Sequence, residues 1–142
     1  MIKKITKSVN ETIDFGKEIG SLLKGGDIVA FKGGLGAGKT TFTRGLALGL
    51  GLSDDVYSPT FALVNEYRGN ITLYHFDMYR ILNAEALETT GFYDYISHDS
   101  IVVVEWSENI MECLPKNITV ITIEQIDENA RAITVEGDER FC

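Results

Sequence analysis

The chain has 142 residues with an apolar fraction of 44%, which suits one compact domain that folds without disulfides or a structural metal. No stretch has the length and apolarity of a membrane helix and the N-terminus lacks a signal-peptide core, so we expect a cytoplasmic protein without a membrane partner. Its 21 acidic and 13 basic residues give a formal charge of −8, which disfavours independent nucleic-acid binding but not nucleotide binding.

The first half of the chain has the pattern of a helix, a strand, a glycine-rich loop and a second helix. A Ser-x-x-Glu capping box begins at Ser8, and the apolar residues after it predict a helix that runs to the glycine pair 25–26. Residues 27–32 predict a buried strand that leads directly into the glycine-rich residues 33–40. Residues 41–50 predict the second helix. This order is the context that a phosphate-binding loop requires.

The second half of the chain is dominated by strand patterns. Strands are predicted over residues 61–67, 71–77, 101–105, 118–126 and 130–135, and a short helix over residues 83–89. The first two strands and the last two are joined by turn sequences and should form hairpins, so the sheet should contain antiparallel as well as parallel pairs. No linker or repeat interrupts the chain, and we expect one α/β domain over residues 1–142.

The glycine-rich loop matches the pattern G-x-x-x-x-G-K-[ST] at every required position. Its glycines allow positive φ angles, so successive backbone N–H groups can form an anion-binding nest at the positive end of the following helix. Lys39 would reach the β- and γ-phosphates, and the Thr40 hydroxyl would bind Mg²⁺. The predicted nucleotide-binding residues of this segment are Gly34, Leu35, Gly36, Ala37, Gly38, Lys39, Thr40 and Thr41. We therefore predict a P-loop NTPase fold, a three-layer α/β sandwich with a mixed sheet.

Two acidic residues at predicted strand ends are candidates for the metal site and for acting on water. Glu105 follows the more deeply apolar strand, of the kind that lies beside the P-loop strand, and Asp77 ends an earlier one. We expect Glu105 to bind the Mg²⁺ shell directly or through water, and Asp77 to complete that shell or to orient the attacking water. Position alone does not divide these roles, and either acid could instead cap a helix or pair with an exposed cation.

Four further residues each have a functional and a structural interpretation. Thr60 lies in a loop where P-loop switch proteins place a hydroxyl that senses the γ-phosphate, although an ordinary turn would also suit it. Arg80 could neutralise transition-state charge, contact a partner or form a salt bridge. His75 shares a strand face with Asp77 and could be a structural histidine. Trp106 could shield the site, dock a partner or simply pack.

Several short motifs, in order along the chain, distinguish it from P-loop proteins in general. They are the phosphate loop, Ser58-Pro59-Thr60-Phe61, Glu66-Tyr67, His75-Phe76-Asp77-Met78-Tyr79-Arg80 and Glu105-Trp106. With these motifs the chain resembles the bacterial TsaE family, small P-loop ATPases of tRNA threonylcarbamoyladenosine biosynthesis. The resemblance implies an Mg²⁺-dependent ATPase of weak intrinsic turnover that acts with the TsaD and TsaB proteins on adenosine 37 of tRNAs reading ANN codons. It implies contact with tRNA only through that complex.

The resemblance also assigns roles residue by residue. It implies that Lys39 and Thr40 hold phosphate and Mg²⁺ and that Glu105 is a metal ligand. It further implies that Asp77 belongs to the acidic motif needed for hydrolysis and that Thr60 lies in a switch-like loop. This gives Lys39, Asp77, Glu105 and Thr60 as the catalytic set and Thr40, Glu105 and Asp77 as the metal set.

The same resemblance places Trp106 close to the nucleotide and adenine between the two ends of the chain. Those ends correspond here to Val9, at the start of the first helix, and Arg131, in the last hairpin. One departure from the family is Gly34, where members often carry Asp. The phosphate geometry does not depend on that side chain, whereas a contact with a neighbouring loop could.

Three other functions of P-loop proteins would each require particular residues. A GTPase should carry an Asn-Lys-x-Asp guanine reader, and none occurs here. A small-molecule kinase usually closes an arginine-rich lid over the phosphoryl donor, but the five arginines are scattered along the chain. That kinase stays the alternative function. A nucleotide-dependent assembly factor, in which ATP chiefly sets the affinity for a partner, overlaps with the family function.

Overall fold

The computed structural model describes residues 1–33, 38–53, 64–77, 84–89, 91–105, 110–115 and 117–142. Within these ranges the strands are β1 (Ile2–Thr6), β2 (Ile28–Lys32), β3 (Val64–Tyr67), β4 (Thr72–Asp77), β5 (Ser100–Glu105), β6 (Thr119–Gln125) and β7 (Arg131–Glu136). The α-helices are α1 (Val9–Gly20), α2 (Lys39–Gly49) and α3 (Ala84–Thr89). Short 3-10 helices cover Phe92–Tyr95, Met111–Cys113 and Glu139–Phe141.

The strands form one sheet in the order β1-β7-β6-β2-β5-β4-β3. Its centre is parallel, because β2 pairs in parallel with both β6 and β5, and β5 pairs in parallel with β4. The outer strands β1, β7 and β3 pair antiparallel with their neighbours. Both predicted hairpins are present, and the predicted α/β fold with a mixed sheet is confirmed.

Helices lie on both faces of the sheet, which therefore has two apolar cores. Under α1 and α2, the first core includes Phe15, Ile19, Phe42, Leu46, Leu73, Ile101, Val103 and Ile121. On the opposite face, α3 and two of the 3-10 helices cover a core that includes Ala30, Phe76, Leu87, Phe92, Val102 and Val104. Alternation along each central strand sends successive residues into different cores, as expected for strands buried on both sides.

Two elements differ from the expectations raised by the sequence. Strand β1 was not predicted, because Ile2–Thr6 carries three exposed residues and becomes a strand by pairing along the edge of β7. Helix α1 ends at Gly20 rather than at the glycine pair 25–26. The amides of Leu22 and Leu23 donate to carbonyls three residues earlier, so the chain tightens into turns before it enters β2.

The helices in the described ranges are short. The longest, α1, has 12 residues, and among the described residues no helix combines the length and apolarity that would cross a membrane.

Candidate functional site

The glycine-rich residues 33–38 lie in sequence between β2, the central strand of the sheet, and α2. Gly33 follows β2, and Gly38 is the residue that caps the start of α2. Gly38 has a φ of 97°, a left-handed conformation that glycine adopts without steric cost and that turns the chain into the helix. The four predicted phosphate-binding residues between them, Gly34, Leu35, Gly36 and Ala37, lie outside the described residues.

The two long helices start differently. Helix α1 is capped by its own sequence, since the amide of Glu11 donates to Ser8 Oγ over 3.1 Å and the amide of Lys7 donates to Glu11 Oε1 over 3.1 Å. Helix α2 begins at a glycine, which has no side chain to cap the first amides, and its first turn contains no acidic residue. The positive end of the α2 dipole is therefore not neutralised from within the helix, which suits an anion.

The first residues of α2 are those that the phosphate-loop pattern predicts to contact phosphate and metal. Lys39 is only 6% exposed, whereas Thr40 is exposed and Thr41 is partly exposed. One turn further on, buried Thr43 donates from Oγ1 to the carbonyl of Lys39 over 2.8 Å. The helix start thus holds Lys39 among protein atoms and presents the Thr40 hydroxyl at the surface.

The two candidate carboxylates lie next to each other in the sheet. Strand β5 lies directly between β2 and β4, and Asp77 and Glu105 are register partners at the ends of β4 and β5. Because side chains alternate along a strand, residues two and four positions before an acid share its face of the sheet. Leu73, four residues before Asp77, and Val103, two residues before Glu105, both belong to the core covered by α1 and α2. Both acids therefore follow the strand alternation toward the side of the sheet that carries α2. Asp77 is exposed, but the Glu105 side chain is only 12% exposed.

His75 is a third polar residue on this face and contacts Glu105. The His75 side chain is 5% exposed, and its Nε2 atom lies 3.3 Å from Glu105 Oε2. The two atoms are close enough for a hydrogen bond, yet no hydrogen bond of acceptable angle forms at Nε2 among the described residues. The two side chains are therefore in close contact without an aligned hydrogen bond.

The donor chemistry of this region fits Mg²⁺ held together with a phosphate. Among the described residues there is no group of three or more His, Cys, Asp or Glu side chains that would hold a metal unaided. Mg²⁺ at a nucleotide site does not need such a group, because it takes one or two protein oxygens and completes its shell with phosphate and water. Thr40, Glu105 and Asp77 are hard oxygen donors of the right kind.

A small pocket lies beside the start of α2. It is lined by Ser8, Val9, Thr12, Gly38, Thr41, Glu128, Asn129 and Arg131. Four predicted nucleotide-binding residues, Val9, Gly38, Thr41 and Arg131, are thus brought together, although they come from α1, α2 and the β6–β7 hairpin. The sequence did not predict that Ser8, Thr12, Glu128 and Asn129 line this pocket. It identified Ser8 only as a helix cap and Asn129 only as part of a turn.

Arg131 is held in this pocket by the hairpin turn that precedes it. Its Nη1 donates to the carbonyls of Ala130 (3.0 Å), Asp127 (3.2 Å) and Glu128 (3.4 Å). The turn itself is closed by Asp127, whose Oδ1 accepts the amides of Asn129 and Ala130 over 2.9 and 2.8 Å. Those two backbone hydrogen bonds lower the pKa of the Asp127 carboxyl. The guanidinium group is therefore fixed against the loop, with Nε facing Gly38.

Three residues singled out in the sequence, Thr60, Arg80 and Trp106, lie outside the described residues, and their roles stay predictions. Lys39, Thr40, Asp77 and Glu105 are described. The first two begin α2, and the last two end the strands on its side of the sheet.

Comparison with known proteins identifies the family. The sequence profile described as "Threonylcarbamoyl adenosine biosynthesis protein TsaE" matches residues 6–133. The tRNA threonylcarbamoyladenosine biosynthesis protein TsaE of Treponema pallidum is 37% identical over 131 residues, which are 92% of this chain and 97% of that protein. The protein of the same name in Bacillus subtilis is 39% identical over 134 residues, 94% of this chain and 84% of its own length.

Among solved structures, the crystal structure of Bacillus subtilis YdiB superposes with a TM-score of 0.78 at 34% identity, covering 99% of this chain and 88% of that one. The matched residues 6–133 include the glycine-rich segment, both strand-end acids and most of the last hairpin. The chain belongs to the TsaE family.

Proposed function

We propose that this protein binds ATP with Mg²⁺ at residues 33–41 and hydrolyses it as a component of the machinery that installs threonylcarbamoyl on N6 of adenosine 37 in tRNAs reading ANN codons. The tRNA modification is taken from the family, because its curated members carry that biosynthetic name. The proposed ATPase partners are the TsaD and TsaB proteins.

The observation that carries the ATP-binding part is the start of α2. An eleven-residue helix begins at a left-handed glycine, without an acidic residue in its first turn, and with a lysine 6% exposed as its first residue. The backbone amides of a helix start, the helix dipole and a lysine favour the same ligand, a phosphate chain. The adjacent pocket at Val9, Thr41 and Arg131 would receive the base.

Each residue has a defined task in this proposal. Lys39 binds the β- and γ-phosphates, and the Thr40 hydroxyl and the Glu105 carboxylate hold Mg²⁺. Asp77, exposed beside Glu105, accepts a hydrogen bond from the attacking water and orients it. Mg²⁺ held by these residues would supply the positive charge that offsets the charge developing on the phosphate oxygens. Thr60, which precedes β3 in the sequence, would sense the γ-phosphate.

The charge of the protein argues that it does not bind tRNA by itself. A surface with 21 acidic against 13 basic residues repels a polyphosphate backbone. Contact with tRNA is therefore expected through the partner proteins, and ATP bound at the loop would set the affinity for those partners.

The experiment that tests the function is reconstitution with TsaD, TsaB, tRNA and a threonylcarbamoyl donor. We expect repeated rounds of tRNA modification with ATP, and fewer rounds with ADP or a non-hydrolysable analogue. A comparison of the first round with later rounds separates a role in chemistry from a role in resetting the complex. Modification that is indifferent to this protein, together with transfer of the γ-phosphate to a metabolite, would instead identify a small-molecule kinase.

A further inference from the structure

His75 is a buried polar side chain between the apolar core and the acidic strand ends. Its side chain lies on the face packed against α1 and α2, two residues after Leu73 and beside Val103. The residue as a whole is 4% exposed. An imidazole buried without a polar partner is unfavourable compared with an apolar side chain of similar size, so packing alone does not account for a histidine at this position.

The Glu105 carboxylate reaches this imidazole, with Oε2 3.3 Å from His75 Nε2. The contact is diagonal: His75 is the register partner of Val103, and Glu105 lies two residues further along β5 on the same face. His75 therefore approaches Glu105 from inside the sheet, on the side away from the strand ends. A carboxylate held on one oxygen from this side keeps its second oxygen available for a ligand at the strand ends.

We propose that His75 is a positioning residue for Glu105: its Nε2–H orients the Glu105 carboxylate toward the start of α2 and so sets the affinity for Mg²⁺-bound nucleotide. The inference rests on the proposed function, in which Glu105 is a metal ligand. It does not depend on a change in the charge of His75, since the neutral ring with hydrogen on Nε2 is a sufficient donor. The off-axis angle at Nε2 is expected to improve when nucleotide binds, as is common for site contacts in ligand-free proteins.

Groups behind a metal ligand act on affinity by restricting the ligand's orientation, and their loss typically weakens metal binding about 10- to 100-fold. A carboxylate without such a neighbour loses rotational freedom when the metal binds, and this loss of entropy weakens binding. In the proposal, His75 already restricts the Glu105 carboxylate before the metal binds, so less entropy is lost. We expect loss of this side chain to leave binding of nucleotide without Mg²⁺ nearly unchanged, because in the proposed function Lys39 and the first amides of α2 bind the phosphates directly.

The test compares three substitutions of His75 in the full-length protein. His75→Gln places an amide N–H near the position of Nε2, His75→Leu fills the space without a donor, and His75→Asn keeps an amide that is too short to reach Glu105. ATP affinity is measured by isothermal titration calorimetry in Mg²⁺ and again in EDTA. Thermal unfolding of the nucleotide-free proteins is measured in parallel.

We expect His75→Leu and His75→Asn to weaken ATP binding about tenfold in Mg²⁺ and less than about twofold in EDTA, and His75→Gln to stay within about threefold of the parent protein in both. Equal losses in Mg²⁺ and EDTA would identify a structural role and overturn the inference. Parent-like binding by His75→Leu in Mg²⁺ would also overturn it. If His75→Leu does not fold, the comparison of Asn with Gln decides the question alone.

The outcome separates this inference from the proposed function. If the parent protein binds ATP no better in Mg²⁺ than in EDTA, the metal role of Glu105 fails, and the inference fails with it. If the parent protein needs Mg²⁺ and His75→Leu retains the same dependence, the proposed function stands and only the role of His75 is lost.

Discussion

Asp77 and Glu105 are register partners on adjacent parallel strands, and they differ in exposure: Glu105 is 12% exposed in its side chain, whereas Asp77 is exposed. Two neighbouring acids with different environments are suited to different tasks. The more buried one, in contact with His75, is better placed to hold a cation in a fixed geometry, and the exposed one to act on water.

The first prediction separates these two acids with isosteric amides. Glu105→Gln should weaken ATP binding at least about tenfold in Mg²⁺, because a charge-assisted contact is lost. Asp77→Asn should bind Mg²⁺-ATP within about threefold of the parent but hydrolyse it about 100-fold more slowly, as expected when a residue that orients water is lost. Calorimetry and phosphate release in the presence of partners measure the two effects. Normal hydrolysis by Asp77→Asn would remove Asp77 from the mechanism.

The second prediction concerns the first two residues of α2. Lys39→Ala should reduce ATP affinity by about 10- to 100-fold with or without Mg²⁺, because in the proposed function the lysine contacts phosphate directly. Thr40→Ala should reduce affinity only when Mg²⁺ is present. Thr40→Ser, which keeps the hydroxyl, is the control and should bind like the parent. An equal loss for Thr40→Ala in EDTA would show that Thr40 acts through the helix and not through the metal.

The third prediction tests whether Arg131 faces the base. Because three carbonyls fix its Nη1 beside Val9 and Gly38, Arg131→Ala should weaken ATP binding about tenfold through loss of its contact with the base. Binding of inorganic triphosphate should not change. Arg68→Ala, on the distant β3–β4 hairpin, is the matched control and should affect neither ligand. A loss of triphosphate affinity for Arg131→Ala would place this arginine on the phosphates.

The fourth prediction concerns the packing of α1 against α2. A Cβ atom on Gly45 would lie 2.9 Å from Gly16 Cα and 2.5 Å from the Ile13 carbonyl oxygen, so the two backbones touch there. Gly45→Ala should therefore destabilise the protein by about 1–3 kcal/mol, although alanine favours helix by roughly 1 kcal/mol over glycine. Denaturant-induced unfolding measures whether Gly45→Ala lowers or raises the free energy of unfolding.

The fifth prediction concerns the C-terminal ion-pair cluster at the opposite end of β2. Arg140 donates to Asp27 over 2.7 and 3.0 Å, to Asp138 and to the carbonyl of Leu22. Arg140→Ala should cost about 1.5–3 kcal/mol of unfolding free energy at pH 7, because hydrogen bonds to partly buried charged groups are lost. Lys17→Ala, whose partner Asp14 is 3.9 Å away and exposed, should cost less than about 1 kcal/mol.

The cluster also makes stability depend on pH. Hydrogen bonds from the Arg140 side chain and backbone lower the pKa of Asp138 below its ordinary value. A carboxyl whose folded pKa is lowered stabilises the protein above its ordinary pKa, and that contribution disappears as the pH falls through the folded pKa. The difference between the parent and Arg140→Ala should therefore shrink below about pH 4. Unfolding measured at pH 7 and at pH 3 checks this, and a constant difference would contradict it.

Much of the fold was predictable because its signals are local. Buried strands such as β2 and β5 appear as aliphatic runs, hairpins as turn residues between alternating segments, and the phosphate loop as fixed glycines before a lysine. Ser8 marked the start of α1 for the same reason, since its cap involves only residues three positions apart. The motifs that identified the family are equally local.

The remaining features depend on which distant segments become neighbours. Strand β1 exists because β7 offers it an edge, and the contact of His75 with Glu105 exists because β4 and β5 pair in one register. The pocket beside the start of α2 joins α1, α2 and the last hairpin. The sequence by itself determined the chemistry that each segment carries, since glycine spacing, capping and alternation act within a few residues. Only the tertiary structure decided strand order, register and helix packing, because these arise from burial and hydrogen bonding between residues far apart in the chain.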